Sequence, residues 1–96
     1  MMRIDKIIVP HQIQDKLVSK HQVVVDEARQ TLLNNPRIRF AEKGHQPGED
    51  VYAALGRTFG GRYLIIFFVY KPDTHTAVII SGRDMTSKEK KQYGRK

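Results

Sequence analysis

The stretch Gly60-Gly61-Arg62-Tyr63-Leu64-Ile65-Ile66-Phe67-Phe68-Val69 decides the fold of this 96-residue chain. Paired glycines can form a two-residue hairpin turn, because glycine reaches positive φ angles without steric cost. The apolar run from Tyr63 to Val69 has no polar face, which is typical of a strand covered on both sides. The sequence therefore predicts a hairpin whose second strand lies in the centre of a sheet.

Downstream of this strand, the chain predicts a turn at Pro72-Asp73 and a last strand over residues 76–81. The segment Ser81-Gly82-Arg83-Asp84-Met85-Thr86 then predicts a sharp exit into a short basic helix, because Thr86 and Glu89 have the spacing of a capping box. Arg83 is expected at the junction of sheet and helix. Backbone amides and cationic side chains can converge on a phosphate at such a junction.

Upstream, apolar spacing changes from the helical period to the strand period after Pro36. The order of elements predicts one α+β domain over residues 1–96, with two layers: a twisted antiparallel sheet and helices on one face. The uncovered face, if cationic, would be a groove. The predicted upstream elements are a strand over 2–9, a helix over 10–20, a second helix ending at 34–36, and strands over 37–40 and 51–56.

Charge is concentrated in the second half of the chain. The formal net charge is +7, and residues 51–96 carry 9 Lys and Arg against 3 Asp and Glu. A positive field favours polyanions, so nucleic acid or an acidic protein is the expected partner. The chain has no cysteine, its first residues lack a long apolar segment, and its longest apolar run is too short to span a bilayer. We therefore expect a soluble cytoplasmic protein without membrane association.

Histidines and arginines are the candidate catalytic side chains. None of the four histidines is paired at i, i+4, so no metal site is expected. His45, in a loop before Glu49, could act as a general acid–base group oriented by that carboxylate, or it could be an ordinary polar loop residue. Arg57 and Arg62 flank the predicted hairpin and could bind phosphate or only keep its tip soluble. No phosphate-binding loop or dinucleotide fingerprint occurs, so no cofactor is expected.

Several motifs together resemble the BrnT family, small basic toxins of type II toxin–antitoxin modules. The resemblance covers roughly residues 10–93 and is strongest in the second half. Its motifs are Lys20-His21, His45 with Glu49-Asp50, Gly56-Arg57-Thr58, Gly60-Gly61-Arg62, the segment 81–86, and Lys88-Glu89-Lys90-Lys91-Gln92-Tyr93. The chain departs from the family pattern where Gln22 replaces a glycine, where Val9-Pro10 replaces Trp-Asp, where Gly82 replaces an alanine, and after Glu49, where one cation is missing.

The resemblance implies a RelE-like fold and a metal-independent endoribonuclease that inhibits translation. It also implies a cognate antitoxin that covers the cationic surface in a toxin–antitoxin hetero-oligomer. For such chemistry we assign Arg83, Arg62 and His45 to catalysis, with Glu49 orienting His45. Arg57, Lys88, Lys91 and Tyr93 are assigned to RNA binding, although Tyr93 could instead only pack its helix. The alternative is a non-catalytic nucleic-acid-binding or partner-docking module of the same fold.

Overall fold

The computed structural model describes residues 2–94, which form a five-stranded sheet and three helices. The sheet order is β1-β5-β4-β3-β2, so the apolar β4 is central, as its sequence predicted. The elements are β1 (Lys6–Ile8), α1 (His11–His21), α2 (Val25–Leu33), β2 (Arg37–Glu42), β3 (Val51–Arg57), β4 (Tyr63–Lys71), β5 (Thr76–Asp84) and α3 (Ser87–Gly94).

One face of the sheet, here called the helical face, is covered by α1 and α2. The helix α1 packs on β5, and α2 packs on β3 and β4. Burial on this face removes large apolar side chains from water, which is the main favourable term in folding. The buried residues include Leu17 of α1, Leu32 of α2 and, from β4, Leu64, Ile66 and Phe68. The α+β class and a helix-covered sheet are therefore confirmed.

Two features differ from the sequence prediction of an antiparallel sheet with helices on one face. The sheet is mixed, because β1 runs parallel to β5 while the other pairs are antiparallel. The helix α3 packs on the face opposite α1 and α2, where Tyr93 contacts a second buried cluster of Ala53, Leu55, Ile65 and Met85. Alternate residues of β4 supply the two clusters, which explains why its sequence has no polar face.

The β3–β4 connection is longer than the predicted two-residue turn. The Thr58 amide donates to the Arg62 carbonyl at 2.9 Å, and the Gly61 amide donates to the Thr58 carbonyl at 3.0 Å. The loop therefore spans residues 58–62. Only Gly61 of the two loop glycines has a positive φ, of 93°.

The strand β5 continues to Asp84, three residues beyond its predicted end. Gly82 and Arg83 pair with Ile66 and Ile65 of β4 and so lie within the sheet, which corrects the expectation that they form an exit from it. A side chain at position 82 would start 2.7 Å from the Ile66 side chain, so glycine allows this extension under α1. Among residues 2–94, no helix combines the length and apolar character needed to cross a bilayer.

Candidate nucleic-acid interface

Strand register brings arginines from three strands onto the face opposite α1 and α2, here called the arginine face. Arg57 lies opposite Tyr63, and both sit at the end of the sheet near α3. The next row across the sheet is Arg37, Leu55, Ile65 and Arg83. The row after that is Arg39, Ala53, Phe67 and Ser81. Directly paired residues project to the same side of a sheet, so these side chains share one surface.

Tyr63 is the centre of a cationic and aromatic cluster on this face. The Arg57 guanidinium carbon lies 5.3 Å from the centroid of the Tyr63 ring, and the Lys90 ammonium lies 5.8 Å from it. The Tyr93 ring meets Tyr63 edge to face at 6.1 Å between centroids. Cations at these distances are attracted to the electron-rich ring face. The ring thus holds two positive charges close together on the surface.

Arg83 is fixed by Glu89 of α3. Its two terminal nitrogens donate to the two carboxylate oxygens of Glu89 at 2.8 and 3.0 Å, and the guanidinium also lies 5.8 Å from the centroid of the Phe67 ring. These hydrogen bonds raise the pKa of Arg83 above its usual value and lower the pKa of Glu89 to about 2. The Arg83 side chain keeps 37% of its surface exposed, so a ligand can still reach it.

The predicted capping box is present and joins α3 to the arginine face. The Glu89 amide donates to the Thr86 hydroxyl at 3.2 Å, and the Thr86 amide donates to the Glu89 carboxylate at 2.8 Å. The same carboxylate therefore caps the helix and orients Arg83. This double role sets the position of α3 relative to β5.

A groove separates α3 from the edge strand β2. Its volume is about 260 Å³. Arg37, Arg39 and Tyr93 contribute to its walls, together with Ile38, Leu55 and Gln92. Arg37 also donates a hydrogen bond to the Gln92 carbonyl, which ties β2 to α3. The groove combines an aromatic ring with two guanidiniums, the combination used to bind single-stranded nucleic acid.

Arg62, assigned to catalysis from the sequence, lies on the helical face. Its Nε and Nη2 donate to the two Asp84 oxygens at 2.8 and 3.1 Å, and these bonds raise the pKa of Arg62 and lower the pKa of Asp84. Nη1 donates to the Gln22 carbonyl and to Glu27, and Nη2 also donates to the His21 carbonyl. Arg62 thus connects Asp84 of β5 with the C-terminal end of α1 and the first turn of α2. It does not bring Arg62 together with Arg57 and Arg83.

His45 and Glu49 lie in the loop between β2 and β3, and both side chains are exposed. This loop joins β3 at Val51, whereas Arg57 is at the other end of the same strand. Six residue steps of a strand extend about 20 Å. The loop closes on itself, since a side chain at Gly44 would start 2.2 Å from the Glu49 carbonyl oxygen. The structure therefore does not bring His45 close to Arg57 or Arg83.

The remaining candidates lie on α3. Lys88 and Lys91 are exposed, and Tyr93 is half-buried between Tyr63 and the groove. Packing of α3 through Tyr93 is thus observed, and its ring also faces the surface where a base could stack. Among residues 2–94, no group of three or more histidine or acidic side chains is arranged to hold a metal ion.

Comparison with protein-family models shows which family the chain belongs to. The model of the ribonuclease toxin BrnT of type II toxin–antitoxin systems matches residues 12–89, which include β2 to β5 and the start of α3. The chain belongs to this family. A BrnT toxin has RNA as its substrate class and a cognate antitoxin as its partner. No curated protein matches the chain.

Sequence reasoning missed four residues of the BrnT arginine face: Arg37, Arg39, Tyr63 and Lys90. One signal was available for the first two, because the alternation Arg37-Ile38-Arg39-Phe40 places both arginines on one side of a strand. Whether that side is the arginine face or the helical face depends on the register between β2 and β3, which the sequence does not give. Lys90 and Tyr63 meet only because α3 folds back over the sheet.

Proposed function

We propose that the arginine face binds and cleaves RNA, and that the protein is a metal-independent endoribonuclease that inhibits translation in the cytoplasm. In this proposal the cognate antitoxin neutralises it by covering this surface in a hetero-oligomer. The observation that carries the proposal is that strand register places Arg57 and Arg83, from different strands, in adjacent rows on one face of the sheet. Family membership supports RNA as the substrate.

Phosphate binding is the role proposed for Arg57 and Arg83. A guanidinium matches two phosphate oxygens with two parallel donors and stabilises the negative charge that develops during cleavage. Arg57 is exposed and is held by the Tyr63 ring rather than by a carboxylate, so its donors are open to a ligand. Arg83 is pre-oriented by Glu89. Lys88 and Lys91 extend the positive surface along α3 for flanking phosphates.

Base binding is the role proposed for the groove lined by Tyr93. Stacking of a nucleobase on an aromatic side chain contributes about 1–3 kcal/mol and tolerates different bases. Arg37 and Arg39 on the opposite wall would accompany the backbone of the bound strand. This arrangement holds a single strand with its backbone along the arginines.

The chemistry needs no metal ion. The 2′-hydroxyl oxygen attacks the adjacent phosphorus, the bond from phosphorus to the 5′-oxygen breaks, and a cyclic phosphate and a 5′-hydroxyl result. One group takes the proton of the 2′-hydroxyl and another gives a proton to the leaving oxygen. Lys90 and Tyr93 are our candidates because they lie on the same face as Arg57. His45 stays a prediction from the sequence, and its distance from Arg57 argues against a direct role.

The test is cleavage of a single-stranded RNA by purified protein in EDTA. We expect cleavage by the wild type and a loss on the order of 10²–10³-fold in Arg57→Ala, the effect of removing one charge-stabilising donor. Arg29→Ala is the matched control, because Arg29 is an exposed arginine of α2, on the other side of the sheet.

Arg83 requires a conservative substitution, because its side chain also pairs with Glu89. Arg83→Ala would destabilise the protein, since Glu89 is only 9% exposed and would lose its partner. Arg83→Lys keeps the charge and removes the two-pronged geometry.

RNA binding without products in the wild type would favour the non-catalytic module. Full activity in both Arg57→Ala and Arg83→Lys would contradict the assignment of this face.

A further inference from the structure

A line of β-branched side chains crosses the arginine face at the end away from α3. Val51 pairs with Val69, Val69 pairs with Val78, and Val78 pairs with Ile8. These four residues, here called the valine row, extend across β3, β4, β5 and β1. They project to the same side as Phe67 and Arg83, because Val69 lies two residues from Phe67 and four from Ile65, the partner of Arg83.

The valine row is not covered by any described part of the chain. Neither of the two buried apolar clusters among residues 2–94 includes one of its members. Ile8 is 39% exposed and the three valines are partly buried. The helix α3 lies over Leu55 and Ile65, two rows away. A contiguous apolar strip on a sheet face is a feature of interaction surfaces.

Positive charges border the row on both sides. Lys6 and Lys71 both pair with Thr76 and so form the next row toward the sheet end. On the other side, toward α3, Arg39 lies in the adjoining row and Arg83 lies one row further. Glu42, paired with Val51 at one end, is the acidic exception. The surface is thus an apolar strip between two cationic borders.

We propose that the valine row is the docking site of the cognate antitoxin, and that the docking segment has an apolar centre with acidic residues on both sides. This inference rests on the proposed function, because it gives the neutralising partner a place on the molecule. The row adjoins Phe67, and Arg83 lies one row further toward α3, so a docking segment that continues from the row toward α3 would cover Arg83. Docking would therefore exclude RNA from this part of the arginine face.

The chemistry of the row favours an acidic polypeptide over other occupants. Aliphatic side chains offer no ring on which a base can stack, so RNA would leave the row uncovered. A second copy of the chain would bring the same lysines and arginines against each other, and like charges at an interface are costly. A polypeptide with leucine-like and acidic side chains satisfies both the strip and its borders.

The first test measures binding of the polypeptide encoded by the reading frame adjacent to this gene, by titration calorimetry. Val69→Thr with Val78→Thr keeps the β-branched shape and places hydroxyls in the contact, and we expect binding to weaken by about tenfold or more. Ile8→Thr is a second variant at the exposed edge. Val18→Thr is the matched control, because Val18 is 49% exposed on α1 and should bind as wild type. Equal binding by the wild type and all row variants would overturn the proposal.

The second test uses charge and location. Lys6→Glu with Lys71→Glu should weaken antitoxin binding, whereas Lys16→Glu with Lys20→Glu on α1 should not. A zero-length carbodiimide reagent should couple Lys6 or Lys71 to antitoxin carboxylates. Couplings confined to α1 would place the partner elsewhere and overturn the proposal.

Three further outcomes would also overturn the docking proposal. The first is loss of RNA cleavage in the row variants with antitoxin binding intact. The second is a dimer of the wild-type chain that the same variants dissociate. The third is binding to anionic lipid vesicles that the variants abolish. Failure of the wild type to cleave RNA would count against the proposed function alone, since antitoxin binding is measured without RNA.

Discussion

Glu89 shows how one side chain serves both stability and the candidate site. Its carboxylate receives two hydrogen bonds from Arg83 and one from the Thr86 amide while being only 9% exposed. Hydrogen bonds to the charged form hold its pKa at about 2, well below the usual 4.5 of a glutamate. A carboxylate with a lowered pKa stabilises the folded state above its unfolded pKa. That stabilisation is lost as the pH falls from about 4.5 toward 2.

Glu89→Gln is therefore expected to change the acid response of the protein. Near neutral pH the variant should be less stable than the wild type by at most roughly 3 kcal/mol, the free energy linked to such a pKa difference. The difference should shrink as the pH falls from about 4.5 to 2, because the wild-type carboxylate then becomes protonated. Urea unfolding at several pH values measures it.

Glu49→Gln is the matched control for Glu89→Gln, because it removes one carboxylate from an exposed loop. A stability difference between Glu89→Gln and wild type that stays constant from pH 6 to the acid limit would contradict the role given to the ion pair. The Arg83→Lys variant links this prediction to activity, since it should weaken both the acid-dependent stabilisation and RNA cleavage.

At the scale of elements, the approach of α2 to β3 depends on Gly56. A Cβ atom at this position would lie 2.8 Å from the Thr31 carbonyl oxygen and 2.9 Å from its methyl group. The backbone oxygen cannot rotate away, so a side chain at position 56 would displace the helix. We expect Gly56→Ala to lower the free energy of unfolding by about 1–3 kcal/mol, as overpacking of a core does.

Gly60→Ala is the control for this substitution. Its Cβ would have only the Thr58 hydroxyl within 4 Å, at 3.9 Å, so we expect a change within about 0.5 kcal/mol. Thermal or urea unfolding compares the two variants. Equal stabilities for Gly56→Ala and the wild type would show that α2 is not held as close to β3 as the geometry indicates.

The elements also show what the sequence could and could not predict. The central position of β4 and the capping box of α3 were predictable, because apolar periodicity and cap spacing are local signals. The place of Arg83 within β5 was not, since a glycine such as Gly82 suggests a break in a strand. In the structure the strand continues through Gly82, where Ile66 and Leu17 leave no room for a side chain. The position of α3 on the arginine face depends on the contact of Tyr93 with Tyr63, which no local pattern encodes.

For the candidate site, sequence reasoning found the residue types but not their grouping. Arg57, Arg62 and Arg83 were predicted to act together, yet Arg62 lies in the β3–β4 loop. Its side chain bonds to Asp84, to Gln22 at the end of α1 and to Glu27 at the start of α2. Arg37, from the less basic half of the chain, lies in the same row as Arg83 instead. The net charge of each half of the sequence does not tell on which face of the sheet a given arginine lies.

At the scale of the whole molecule, the +7 charge is arranged so that one face carries arginines from β2, β3 and β5. A cation that contacts a phosphate releases a counterion from the nucleic acid, so each contact adds to the salt dependence of binding. A cation elsewhere only raises the general field and is screened beyond about 8 Å at physiological salt. The salt dependence of RNA binding can therefore distinguish phosphate contacts by Arg57 and Lys90 from the general effect of cations on α1 and α2.

We expect Arg57→Ala and Lys90→Ala each to make the slope of log affinity against log salt shallower by roughly 0.7, the value for one phosphate contact on a single strand. Arg29→Ala should leave the slope unchanged, because Arg29 lies on α2. Fluorescence anisotropy at four or more KCl concentrations measures the slopes, with an RNA carrying 2′-deoxy substitutions so that cleavage does not interfere. If Arg29→Ala lowered the slope as much as Arg57→Ala, RNA would be responding to net charge alone. The arginine face would then not be its binding surface.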